Sequence, residues 1–143
     1  MQISQLLRHK DPEVATVDGS ASVRSALALL AAKGIGALVV SSDGRRVDGI
    51  VSERDVARGL HARGADLLAA PVSSVMTADV HVCPPDANVE ALARTMTDHR
   101  VRHVPVVADG ALVGIVSIGD VVKARLDELE EERRQLVDYI QTP

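Results

Sequence analysis

The sequence predicts an α/β (α+β) protein: two strand–helix–strand–strand–helix repeats packed as a pseudo-two-fold pair, plus a C-terminal helix. Three observations carry this expectation. Gly49-Ile50-Val51-Ser52 returns as Gly114-Ile115-Val116-Ser117, and Asp55-Val56 returns as Asp120-Val121. The apolar periodicity passes from extended to helical to extended in the same order in both halves. Of the 143 residues, 46% are hydrophobic and only 1% aromatic, so the core is built from Val, Ala, Leu and Ile.

Each repeat begins with a short lead-in helix, Ile3 to Leu7 and its counterpart Val72 to Met76. Extended segments follow at Val14 to Val17 and Val80 to Cys83. Helices are predicted over Val23 to Lys33, capped by Ser22, and over Val89 to His99, after Asn88. Val23, Leu27 and Leu30 share one face, as do Val89, Leu92 and Met96. Apolar strands come next, Ala37 to Val40 and Val104 to Val107. The Asp43-Gly44 and Asp109-Gly110 turns lead into Gly49 to Val51 and Gly114 to Val116. The first hairpin is one residue longer, a difference that a loop tolerates. A second helix opens at Ser52 and at Ser117. The repeats divide as 1–66 and 67–125, with an extension at 126–143. A unit of about sixty residues buries little surface alone, so the two copies are expected face to face around one shared core.

In the extension, Val122, Leu126, Leu129, Leu136 and Ile140 recur at heptad-like spacing, interrupted by Arg133; Glu130 stands four residues before Arg134. The helix either packs on its own domain or meets its mate in a homodimer. The stripe runs past the repeat, which favours the homodimer.

Composition excludes several classes. The formal net charge of −4 carries no basic nucleic-acid footprint, and Tyr139 is the only aromatic ring for base stacking. Cys83 is the single cysteine, so it forms neither an internal disulfide nor a thiolate metal cluster. No apolar run reaches membrane-spanning length, and the first residues lack the cationic start of a secretion signal. The expectations are no membrane, no nucleic acid and a cytoplasmic location.

The candidate chemistry lies at Ser52-Glu53-Arg54-Asp55 and Ser117-Ile118-Gly119-Asp120. One reading is a capping box, in which the Ser hydroxyl and the acid three residues on satisfy each other's backbone N–H. The other is a ligand site: a helix N-terminus suits a phosphate, and a carboxylate one turn in suits a vicinal diol. The same atoms can serve both, and duplication of the whole string favours the second.

These strings, together with Val101-Arg102-His103-Val104-Pro105-Val106-Val107, resemble a pair of cystathionine-β-synthase (CBS) domains, the tandem called a Bateman module. The resemblance covers residues 1 to about 125. It implies a non-catalytic regulatory sensor that binds adenosine-containing ligands (AMP, ADP, ATP, NAD or S-adenosylmethionine) in clefts between the copies and usually dimerises. Many modules of the family are fused to the protein they control; here a target, if there is one, is expected to act in trans. It also implies the residues. One cleft would hold Ile50, Ser52, Arg54 and Asp55 with His81, Arg102 and His103. The other would hold Ile115, Ser117 and Asp120 with Ala15, Gly36 and Ala37. Asp55 and Asp120 would take ribose hydroxyls, Ser52 and Ser117 phosphate, and Ile50 and Ile115 the base. The first cleft is rich in cations and the second is not, so the Asp55 cleft is expected to take the phosphorylated ligand.

The remaining residues have plainer readings. His99 closes a helix and His103 opens a strand, so they are not expected to share a metal. Cys83 reads as a small buried hydrophobe on the same side of its strand as His81. Pro105 within a strand suggests an edge. No Ser-His-Asp arrangement, phosphate-binding Gly-rich loop or metal cluster is apparent, so the chain is expected not to be an enzyme and to need no catalytic cofactor. An interaction protein with vestigial clefts is the alternative.

Overall fold

A computed structural model describes residues 1–143. The elements run α1 (Ile3–Leu7), β1 (Thr16–Val17), α2 (Val23–Lys33), β2 (Ala37–Val40), β3 (Gly49–Ser52), α3 (Glu53–Arg63), two 3-10 turns (Gly64–Ala69 and Val72–Ser74), α4 (Val89–His99), β4 (His103–Ala108), β5 (Ala111–Ser117) and α5 (Ile118–Gln141). The anticipated helix starts are formed: Ser22 Oγ accepts the Ser25 N–H, and Asn88 Oδ1 accepts those of Glu90 and Ala91. The second lead-in shrinks to a 3-10 turn.

Two small sheets result. In the first, β2 lies between β1, parallel to it, and β3, antiparallel. In the second, β4 pairs antiparallel with β5 through a bulge between Val106 and Val107. Asp109 and Gly110, at φ 52° and 76°, form the left-handed two-residue turn of that hairpin. The longer loop of the first repeat is organised by Asp43, whose Oδ1 accepts the N–H groups of Arg45 and Arg46, each at 2.8 Å.

Two expectations are corrected. The segment Val80 to Cys83 is not a strand: Cys83 alone bridges to Val106. Its N–H donates to Pro105 O and its carbonyl accepts the Val107 N–H, so Pro105 sits on the outer edge of β4 where it need not donate. Without a regular strand the alternation rule fails here. Cys83 is buried while His81 is exposed.

The second correction concerns the core, because the repeats do not share one. They form two cores and exchange their lead-ins. Val23, Ala26, Leu30, Leu38, Val40, Val51 and Val56 pack with Leu67 and Val72 from the start of the second repeat. Val89, Leu92, Met96, Val104, Val106, Val116 and Val121 pack with Ile3 and Leu6 from the start of the first. The exchange is symmetric in the backbone. Val23 N–H donates to Ala70 O and Val72 N–H to Ala21 O; likewise Val89 N–H donates to Met1 O and Ile3 N–H to Ala87 O. Gly49 and Gly114 make the crossing sterically feasible. A Cβ would stand 2.7 Å from Met76 Sδ at the first and 2.7 Å from Leu7 Cδ2 at the second. The shared element is thus the crossing itself, which fixes one repeat against the other.

The last helix, α5, runs 24 residues without a break. Val121 and Ala124 bury one face, whereas Val122, Leu126, Leu129, Leu136 and Ile140 are exposed. Arg134 pairs with Glu131, three residues back, rather than with Glu130. No helix is long and apolar enough to cross a membrane.

Candidate functional site

Ser52 ends β3 and opens α3. Its Oγ accepts the Asp55 N–H at 3.2 Å, and its own N–H donates to Asp55 Oδ2 at 2.9 Å. The capping box is therefore formed. It occupies Oδ2, which also accepts from the Ser52 hydroxyl at 3.0 Å. Oδ1 meets only the Thr77 hydroxyl, at 3.4 Å. The Glu53 N–H donates to Gly36 O, so among the first-turn donors that of Arg54 is left for a ligand.

A cleft of about 530 Å³ opens at this turn, with walls from both repeats. All seven residues expected there line it: Ile50, Ser52, Arg54, Asp55, His81, Arg102 and His103. The sequence reading missed Arg58, Arg100, Thr77, Asp79, His99 and others that also line it. Arg58 carried a signal, since it follows Arg54 by one turn on the same helix face. Arg100 carried none; it is the left-handed C-cap of α4, at φ 54°.

The charge in this cleft is largely unspent. Arg54, Arg58, Arg100 and Arg102 line it against Glu53, Asp55 and Asp79, yet none of the four arginines is held in an ion pair within the chain. His81 and His99 stack, with ring centroids 4.6 Å apart. His103 lies deeper. Burial holds its imidazole below the ordinary histidine value, helped by the charges of Lys10 and Arg102 and opposed by Asp120 and Glu53. His103 is therefore neutral at neutral pH, in the wall of the Asp55 cleft and within the field of Asp120. Cys83 lies outside the cleft; burial pushes its thiol up to about 11, which leaves it protonated and unreactive.

The second motif repeats the cap but not the cleft. Ser117 Oγ accepts the Asp120 N–H at 3.1 Å, and Ser117 N–H donates to Asp120 Oδ2 at 2.8 Å. That oxygen also receives the Lys10 ammonium, which at the same time donates to Ile115 O at 2.7 Å. Burial alone would raise the Asp120 carboxyl, but Lys10 and the Ser117 N–H outweigh it and hold the group below the usual carboxylate value. The pocket here, about 360 Å³, is lined by Met1, Leu6, His9, Lys10, Lys123, Ala124 and Asp127 beside Asp120.

Of the residues expected with Asp120, none lines this pocket. Ala37 is buried in β2. Ala15 packs on the first core. Gly36 lines the Asp55 cleft, its Cβ direction 3.5 Å from the His103 ring. Ile115 and Ser117 adjoin Asp120 through Lys10 and the cap, but do not line its pocket.

Comparisons with known proteins agree on the architecture. The sequence profile of the CBS domain matches residues 4–62 and 72–127. A CBS-domain-containing protein from Agrobacterium tumefaciens is 43% identical and superposes with a TM-score of 0.83, covering 87% of this chain and 99% of that one. A CBS domain protein from Pyrobaculum aerophilum, crystallised with AMP, is 31% identical with a TM-score of 0.74, covering 84% of this chain and 89% of that one. The mitochondrial CBS domain-containing protein CBSX3 of Arabidopsis thaliana is 39% identical over 111 residues. That match takes 75% of this chain and 54% of the relative, so the chain spans about half of that protein's length.

Proposed function

The chain belongs to the CBS domain family as a tandem pair, and on that premise we propose that it is a regulatory module. It binds a phosphorylated adenosine ligand in the Asp55 cleft and does not turn it over. The observation that carries the reading is the meeting, in one cleft at a helix N-terminus, of a carboxylate with one oxygen outside the cap and four arginines without ion-pair partners. Asp55 accepts the ribose hydroxyls, Ile50 covers the base, and Arg54 and Arg102 take the phosphate with Arg58 and Arg100 in reserve. Charge-assisted bonds of this kind are the strong ones. With no Phe, Tyr or Trp in the wall, the base is recognised by aliphatic contact and main-chain groups. The AMP held by the Pyrobaculum relative supports the ligand class.

The module is a homodimer in this reading, because α5 presents an apolar stripe that its own chain leaves bare. Ligand changes the angle between the repeats to the extent that it binds the two arrangements unequally.

A thermal-shift panel of AMP, ADP, ATP, NAD and S-adenosylmethionine tests the reading. A ligand at 100 times its Kd adds about 2.7 kcal/mol of stability. The phosphorylated members should shift the melt, and S-adenosylmethionine, which is cationic, should not. A flat panel would put the interaction-protein alternative ahead. Product formation from ATP or NAD would overturn the non-catalytic part.

A further inference from the structure

We infer that Lys10 is a resident cation that fills the Asp120 site in place of a ligand, so that the chain offers one adenosine site and not two. The inference rests on the reading of the Asp55 cleft given above.

Equivalent atoms of the two repeats have different partners. Asp120 and Ile115 correspond to Asp55 and Ile50. In the second repeat, both the Asp120 carboxylate and the Ile115 carbonyl are bonded by the single Lys10 ammonium. In the first, the Ile50 carbonyl accepts the Thr77 N–H, and no cation of the chain touches Asp55. The lead-ins align through Leu7 and Met76, which cover Gly114 and Gly49 in the same way. Counting three residues on from each places Asp79 where Lys10 stands. One lead-in therefore delivers a cation onto its motif aspartate, and the other delivers an acid that cannot bridge to it.

The Lys10–Asp120 side chains are 29% and 25% exposed, so the pair is partly withdrawn from water. A ribose diol is neutral. The ammonium already sits on Asp120 Oδ2, tethered by the chain at high effective concentration, so a diol that approaches the remaining oxygen, Oδ1, must compete with it for the carboxylate charge or displace it and leave it without its carboxylate. The Asp120 site is thus selected against by one side chain, while its cap geometry stays intact.

Isothermal titration of AMP into the full chain tests this in five forms: wild type, Asp55→Ala, Lys10→Met, Lys10→Met with Asp55→Ala, and Lys10→Met with Asp120→Ala. Methionine keeps much of the lysine stem and removes the charge. Lys10→Gln serves as the second variant, with circular dichroism melts to confirm folding. Wild type should bind one AMP per chain and Asp55→Ala none. Lys10→Met should bind two. Its Asp55→Ala double should keep one, and its Asp120→Ala double should fall back to one.

Two AMP per wild-type chain overturns the inference without any variant. One AMP in wild type with a silent Lys10→Met/Asp55→Ala chain also overturns it, and leaves the Asp55 reading standing. A silent wild type whose Lys10→Met form binds one AMP overturns the Asp55 reading and keeps the role of Lys10. Silence in every form overturns both.

Discussion

The two motif turns are almost the same object, and they meet opposite surroundings. Each has a Ser cap, an Asp that closes the capping box, and a carbonyl two residues before the Ser. Around Asp55 stand four arginines without ion-pair partners; around Asp120 stand the N-terminal segment and Lys10. The cap is made within four residues and depends on local geometry alone. The surroundings come from segments tens of residues away. A repeated motif therefore guarantees a repeated turn, and says little about whether that turn faces a ligand, a lysine or nothing.

The largest expected effect separates the two turns directly. Asp55→Asn keeps a cap acceptor and the shape, but removes the charge that a diol bonds. It should weaken AMP binding by roughly 10- to 100-fold, the worth of charged hydrogen bonds. Asp120→Asn should leave affinity within about twofold. Calorimetry reads both, and a reversed order would show that the comparison has been drawn the wrong way round.

The second effect concerns how rigidly each lead-in crosses. Ala at Gly49 would press on Met76 Sδ and also on the Thr77 carbonyl at 2.9 Å, which is backbone. Ala at Gly114 would press only on the ends of Leu7. Gly49→Ala should cost about 1–3 kcal/mol, and Gly114→Ala clearly less because a leucine tip moves aside. Denaturant melts of the two variants measure the difference; equal losses would mean that the crossings are equally stiff.

The smallest effect compares the closing helices. After 11 residues α3 stops at Gly64, φ 72°, and the chain folds back; α5 continues to Gln141 with its apolar stripe bare. Leu126 is 56% exposed. Leu126→Glu should weaken self-association by about 1 kcal/mol or more per helix, since roughly half a leucine of burial is lost. Light scattering across a dilution series should show dissociation at higher concentration than wild type. An unchanged profile would place the dimer contact elsewhere on the molecule.

Much of the fold was legible because its signals are local. Ser22, Asn88, Ser52 and Ser117 are caps, and Asp109-Gly110 is a hairpin turn, whatever the rest of the chain does. The walls of the Asp55 cleft were legible too, through the resemblance that the paired strings carry. Arg100 was not legible, because its place follows from where α4 ends. Nor was the lining of the pocket beside Asp120, which includes none of Ala15, Gly36 and Ala37: each belongs to a short extended segment whose spacing reveals no neighbour.

By itself the sequence determined the two repeats, the order of their elements, the aliphatic core and the paired caps, since all of these arise from interactions within a few residues or from period and composition. Only the tertiary structure decided that each repeat lends its lead-in to the other, that Ile3 and Leu6 complete a core begun some eighty residues later, and that Lys10 lands on Asp120. Those are contacts between segments far apart in the chain. Their formation depends on how two glycine-floored strands let a neighbouring segment approach, which no local pattern records.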